Sequence, residues 1–179
     1  MPSSLSQRQS LMTFLGWMLC LLIAIPAQAL DTSSGVGLQD RALFQERLDY
    51  TLTNQNGKDF HAQDLSNTSF AGAVARAADF SNSNLRGAIL TQGTFTQSNF
   101  SGADLSDALM DRVDFVDTDL RNTVLNGVIA SGSSFAGAQI DGADFSDALL
   151  DLDDQRRLCL DADGINQITG IATFESLNC

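Results

Sequence analysis

Histidine is almost missing from this chain: of 179 residues only His61 is one. Hydrolase and transferase sites need a general base, and a single histidine beside Asp64, with no G-x-S-x-G, Walker A or dinucleotide fingerprint, gives none a partner. The sequence therefore predicts no enzyme, no catalytic residue and no cofactor. Basic residues are scarce too, 10 Lys and Arg against 22 Asp and Glu, for a net charge of -12. Phosphate backbones are bound by Lys and Arg that displace counterions, so nucleic acid is a poor partner. The acidity itself fits solubility, a cationic partner or divalent ions. There are three cysteines, no CxxC and no clustered histidine, so the usual zinc patterns are absent. One domain's worth of residues, 44% of them hydrophobic, argues against a disordered chain.

Uncharged apolar sequence is confined to the first 29 residues. Arg8 precedes Leu11 to Ile25 (LMTFLGWMLCLLIAI), a run short for spanning a bilayer, and Ala27-Gln28-Ala29 supplies an A-x-A cleavage pattern. Residues 1–29 are read as a signal peptide, with the mature chain starting at Leu30 and no stable membrane anchor after cleavage. Twin arginines are absent, and Met18 and Leu19 before Cys20 are not the small residues of a lipoprotein signal. Cleavage would leave Cys159 and Cys179 as the only cysteines, and an even count in an exported chain points to one disulfide.

The remainder repeats every five residues. Stepping by five from Phe60 to Leu150 visits 19 positions, of which 17 are large and apolar, whereas only nine of the other 72 residues are Val, Ile, Leu, Met, Phe, Trp or Tyr. All eight Phe of the span are in register. Five residues advance a helix by about 140° and put a strand on its opposite face, so neither element keeps this stripe on one side. A chain that bends after each five residues does, and four sides close a square coil of twenty. Stacked with a rise of about 4.8 Å, such coils form an all-β solenoid of four to five turns. Residues twenty apart should then form interior ladders, among them Phe60, Phe80, Phe100 and Phe95, Phe115, Phe135. Two residues before each centre, small side chains such as Ala73, Ala88 and Ala103 should fill the corners. Two residues after, glycines such as Gly72, Gly102 and Gly142 suit the turns. Outward rows, Asp59, Asp79, Asn99, Asp119 and Asp64, Asn84, Asp104, Asp144, could bond the backbone or hold divalent cations weakly.

The strings FSGADLSDAL, IDGADFSDAL and NLRGAIL resemble the A(D/N)LXX pattern of the pentapeptide-repeat family. That resemblance covers Phe60 to Leu150 and implies a right-handed quadrilateral β-helix. Departures are Ala75 and Ala130 at centres, and Val113 and Val128 where alanine is usual.

The solenoid's ends need covers, because open ends are unstable and sticky. Residues 30–59 are read as an N-terminal cap, with a helix over Leu38 to Tyr50 and strand and turn over Thr51 to Gly57. Residues 151–179 are read as a C-terminal helical cap. Its helix, Asp151 to Leu160, has Asp153 and Asp154 ahead of Arg156 and Arg157, carries Cys159 and stops at Asp163-Gly164. The tail LCLDADGINQITGIATFESLNC and the segment DYTLTNQNGKDF are similar to those of thylakoid-lumenal pentapeptide-repeat proteins of cyanobacteria and chloroplasts. The tail departs at Gln167, where proline is usual, and at Asp163, where serine is common. The likeness implies pairing of Cys159 with Cys179 and a thylakoid-lumenal or periplasmic location. The function expected is an exported, non-catalytic binding or scaffolding protein with a protein partner of unknown identity. Alternatives are a DNA-mimicking, topoisomerase-binding protein and a weak divalent-cation binder; the sequence leaves oligomeric state open.

Overall fold

The computed structural model describes residues 48–179. The signal peptide read in residues 1–29 and the helix from Leu38 as far as residue 47 lie outside the described residues.

From Tyr50 to Leu150 the backbone repeats one five-residue unit, a two-residue turn followed by an extended stretch. Each unit pairs in parallel with the unit twenty residues on, so four units close one coil. The ladder Asp49, Ser69, Ile89, Leu109, Ile129, Leu149 shows this with five successive bridges. Phe80 N–H donates to Asn99 O at 2.7 Å, and Asn99 N–H to Ala78 O at 3.0 Å, the slanted pairing of parallel strands. Each extended stretch is too short to count as an ordinary strand, yet every unit between the first and last coils is held from above and below.

The turns explain the period. The second residue after each centre has a left-handed backbone, φ +63° at Gly72 and +67° at Gly102. Type II turns need that conformation, and glycine adopts it without cost. Non-glycine residues occupy the same position elsewhere, for example Ala62 (φ 53°), Ala77 (φ 53°) and Gln92 (φ 61°). Coil stacking thus imposes a backbone that the local sequence does not favour. Gly93 has another reason to be glycine: a Cβ there would lie 2.5 Å from Phe95 Cε2, because the ring leans into that corner.

Every centre from Phe60 to Phe145 is buried, including the two departures Ala75 and Ala130. Phe60, Phe80 and Phe100 stack at 4.8 and 4.6 Å, and Phe95, Phe115 and Phe135 at 5.8 and 5.5 Å. Adjacent stacks meet edge to face, as Phe80 does with Phe95. Two residues before the centres, Ala73, Ala88 and Ala103 are fully buried. At several of these positions a hydroxyl bonds back across to the preceding coil: Thr118 Oγ1 donates to Phe95 O and Thr123 Oγ1 to Phe100 O, each at 2.9 Å. Corner residues therefore do more than fill space.

Coil geometry reaches further toward the N terminus than the boundary at Phe60, which corrects part of the expected cap. Asp49 bridges Ser69, Tyr50 N–H donates to Ser69 O at 2.7 Å, and the Tyr50 ring stacks on Phe70 at 4.8 Å. Tyr50 is therefore a centre residue, not the end of a helix. Gln55, half-buried in the next centre, breaks the apolar pattern that would have revealed the register.

After Leu150 the repeat stops and helix α1 (Leu152–Asp161) begins. Asp153 and Asp154 occupy its first turn, where the dipole favours negative charge. Leu158 and Leu177 are buried and join the apolar core. Helix α2 (Thr173–Ser176) closes the chain, and Ser176 Oγ accepts from Phe145 N–H at 3.0 Å. Asn166, 1% exposed, pins the segment between the helices. Its amide donates to Gly142 O (2.8 Å) and Thr123 O (3.2 Å) and accepts from Ile168 N–H (2.9 Å) and Thr169 N–H (3.0 Å). In the structure Cys159 and Cys179 form a disulfide that ties α1 to the end of the chain, with Cα atoms 5.7 Å apart.

Candidate functional site

With centres and corners turned inward, the surface consists of the residue just before each centre and the two turn residues after it. The acidic rows stand on two walls of the column. Asp59, Asp79, Asn99 and Asp119 follow one another through parallel bridges, as do Asp64, Asn84 and Asp104. Val124 separates Asp104 from Asp144 in the second row, and the structure corrects the expectation that Asp144 faces outward: it is buried, 2% exposed. Each of these side chains turns back to its own strand: Asp79 Oδ1 accepts from Ser81 N–H at 2.9 Å, Asn99 Oδ1 from Ser101 N–H at 3.0 Å, and Asp144 Oδ1 from Ser146 N–H at 2.9 Å. The polar residue before the centre thus accepts from the outward N–H two residues on, an Asx-type bond that stiffens each side.

Those bonds account for the carboxylate acidities. The Ser81 hydroxyl, 2.6 Å away, holds Asp79 below the usual carboxylate range, with its N–H and His61 adding to the effect against partial burial. Ser66 does the same for Asp64, and Thr51 for Asp49. Burial pushes Asp104 and Asp119 up, but the Ser106 hydroxyl and N–H with Arg86 for the one, and Arg121 for the other, outweigh it and both are lowered. Arg86 reaches Asp104 at 3.2 Å and Asp107 at 3.5 Å.

His61 and Asp64 are not joined. His61 Nδ1 is 2.9 Å from Ser81 Oγ, and that hydroxyl donates to Asp79 Oδ1. In a serine-hydrolase triad histidine stands between serine and aspartate so that it can take the serine proton. Here serine stands in the middle and its proton goes to the carboxylate, so the trio has no activated nucleophile. Among the described residues no three His, Cys, Asp or Glu side chains converge as a metal site, and no helix is long and apolar enough to cross a membrane.

The row before the centre on a third wall is different. Ser69 is followed by Ile89, Leu109, Ile129 and Leu149, linked bridge to bridge. These four aliphatic side chains are 37, 38, 36 and 60% exposed, so water meets much of each. They were missed in the sequence because the centres and the acidic rows dominate the pattern. Stepping by twenty from the residue before each centre would have found them.

A family model for pentapeptide repeats matches eight copies, over residues 59–92, 94–127 and 114–151. The chain belongs to the pentapeptide-repeat family. Proteins of this family fold as right-handed quadrilateral β-helices, which gives the hand of the coil described above. No family of enzymes is indicated. Among solved structures, the chain is similar to a pentapeptide repeat protein from the Arabidopsis thaliana thylakoid lumen, with 33% identity, 74% of this chain and 85% of that one covered, and a TM-score of 0.27. It is also similar to QnrB1, a plasmid-mediated fluoroquinolone resistance protein (17% identity, 58% and 66% covered, TM-score 0.49). A pentapeptide repeat protein from Nostoc PCC 7120 gives 17% identity, 68% and 90% covered, and a TM-score of 0.40. No curated protein matches the chain.

Proposed function

We propose that this pentapeptide-repeat protein is a non-catalytic binding or scaffolding module that works after export, in the thylakoid lumen or the periplasm. The observation that carries the reading is the division of labour within each five residues: two inward side chains make the core, and the other three are left to display a pattern along a stiff wall. Nothing in that pattern concentrates a base, a nucleophile and an acid, as the order of His61, Ser81 and Asp79 illustrates. The signal-like residues 1–29, the paired Cys159 and Cys179 and the likeness to a lumenal relative support an oxidising compartment. Cell fractionation with intact-mass measurement tests this directly. The expected species lacks Met1 to Ala29, sits outside the cytoplasm and is lighter by two hydrogens than the reduced chain. Full-length reduced protein in the cytosol would overturn the export half of the proposal. Crosslinking in the compartment that captured no protein from any wall would overturn the binding half.

A second reading rests on the acidic rows, in which Asp59, Asp79 and Asp119 on one wall and Asp64 and Asp104 on the next place negative charge along the column as a nucleic-acid backbone does. It makes the protein a DNA mimic that binds a type II topoisomerase, and absence of inhibition in a supercoiling assay would dismiss it.

A further inference from the structure

We infer that the wall carrying Ile89, Leu109, Ile129 and Leu149 is a docking strip for a cationic amphipathic helix of a partner protein. The inference rests on the binding reading above and deepens it by naming the face and the chemistry of the occupant.

The strip breaks two local rules at once. On the other walls the residue before the centre is mostly Asp, Asn, Ser or Thr, and its oxygen commonly accepts from the N–H two residues on. Isoleucine and leucine cannot accept, so Thr91, Asp111, Ser131 and Asp151 forgo that side-chain bond in four successive coils. Four large aliphatic side chains are also left in water on a chain of net charge -12. A contiguous apolar row rimmed by polar residues marks an interaction surface, and repeated departures from a local rule without local gain point the same way.

Spacing selects the occupant. Residues one coil apart are about 4.8 Å apart, so three steps span about 14 Å. A helix presents side chains on one face every 5.4 Å or so and drifts from the strip by only about 2 Å over three turns. A strand repeats a face about every 6.7 Å and is out of step by roughly 6 Å over the same three repeats. Charge selects its chemistry. Asp111 and Asp151 follow Leu109 and Leu149 on one side of the strip, and the turn residues Asp107 and Asp147 precede the same two leucines on the other. Arg86 is paired with Asp104 and Asp107, and Asp151 Oδ2 accepts from Gly132 N–H, so Asp111 and Asp147 are the rim carboxylates that face a partner, against Arg112 alone. The rim therefore complements lysine or arginine beside an apolar helix face.

The test uses a synthetic helical peptide with Leu at positions spaced three and four apart and Lys elsewhere, and a scrambled peptide of the same composition. The variant is the triple substitution Ile89→Asn, Leu109→Asn and Ile129→Asn. Asparagine already serves at Asn84 and Asn99, so the fold should keep its thermal midpoint. Wild-type protein is expected to bind the ordered peptide at least tenfold tighter than the scramble, and the variant to lose that preference. Equal binding of both peptides by wild type, or undiminished preference in the variant, overturns the inference. So does sedimentation showing that wild type, but not the variant, self-associates, because the occupant is then a second copy. A native partner that photocrosslinks only to the other walls also removes the strip while leaving the binding reading intact; that reading falls only if no wall captures a protein.

Discussion

The coils and the C-terminal cap reach stability by opposite routes. In residues 50–150 each position is one of a ladder of equivalents, so a side chain is held by its like above and below. In residues 151–179 nothing repeats: one amide, Asn166, serves four bonds, one glutamine side chain, Gln155, donates to Leu177 O, and one disulfide ties the ends. Repetition spreads load over many weak equivalents, whereas the cap concentrates it in residues without substitutes. A repeat array gains its stability from neighbouring coils, so the cap's task is to give the last coil a neighbour.

Substitutions can break that contrast, and the deepest cut is expected in the middle of a stack. Phe100→Ala removes a ring between Phe80 and the residues above it and should cost about 3 to 5 kcal/mol, read from denaturant unfolding. Its effect should spread along the column. Cys179→Ser opens a loop with a sequence separation of 20 and should lower cap stability by about 3 kcal/mol. Hydrogen exchange should show that loss in α1, α2 and the last coil, with the coils around Phe80 unchanged. Asn166→Ala leaves Gly142 O, Thr123 O and two N–H groups without their partner and should cost about 1 to 3 kcal/mol. If Asn166→Ala loosened the middle coils as much as the last, the division between the two regions would be wrong.

Smaller changes sharpen the comparison within the coils. Ala77, at φ 53°, carries a left-handed penalty that glycine escapes, and after glycine's larger chain entropy Ala77→Gly should stabilise by roughly 0.5 to 1 kcal/mol. The thermal midpoint would rise; a fall would mean that the Ala77 methyl is packed more usefully than its turn is strained. The smallest effect concerns acid. Carboxylates lowered in the folded state, Asp64, Asp79, Asp104 and Asp119 among them, contribute stability that is complete above the unfolded value near 3.9 and is lost as pH falls through the lower folded value. Asp79→Asn keeps the bond to Ser81 N–H but removes the charge, so it should lower neutral stability slightly, match wild type below the folded value and flatten the acid limb of a stability–pH curve.

The core was legible because its cause is local and periodic: one inward bulky side chain in five can be counted without coordinates. Ala75 and Ala130 did not disturb the register, since their neighbours in sequence kept it. Tyr50 was not legible as a coil residue, because Gln55 interrupts the period and the residues before it have helix-forming composition. The hydroxyl bonds of Thr118 and Thr123 join atoms 23 residues apart that only stacking brings together. Asn166 was equally hidden, for its value lies in carbonyls of two different coils. The candidate strip was readable in principle, yet its four residues are a minority pattern laid over a stronger one.

The four-unit coil also fixes what length changes do. Inserting or deleting twenty residues adds or removes a storey and leaves every wall aligned with itself. A five-residue change would keep each phenylalanine and leucine facing inward while swinging everything downstream by a quarter turn. Placed between Leu109 and Ile129, such a splice would leave a folded protein whose aliphatic row is split between adjoining sides of the square.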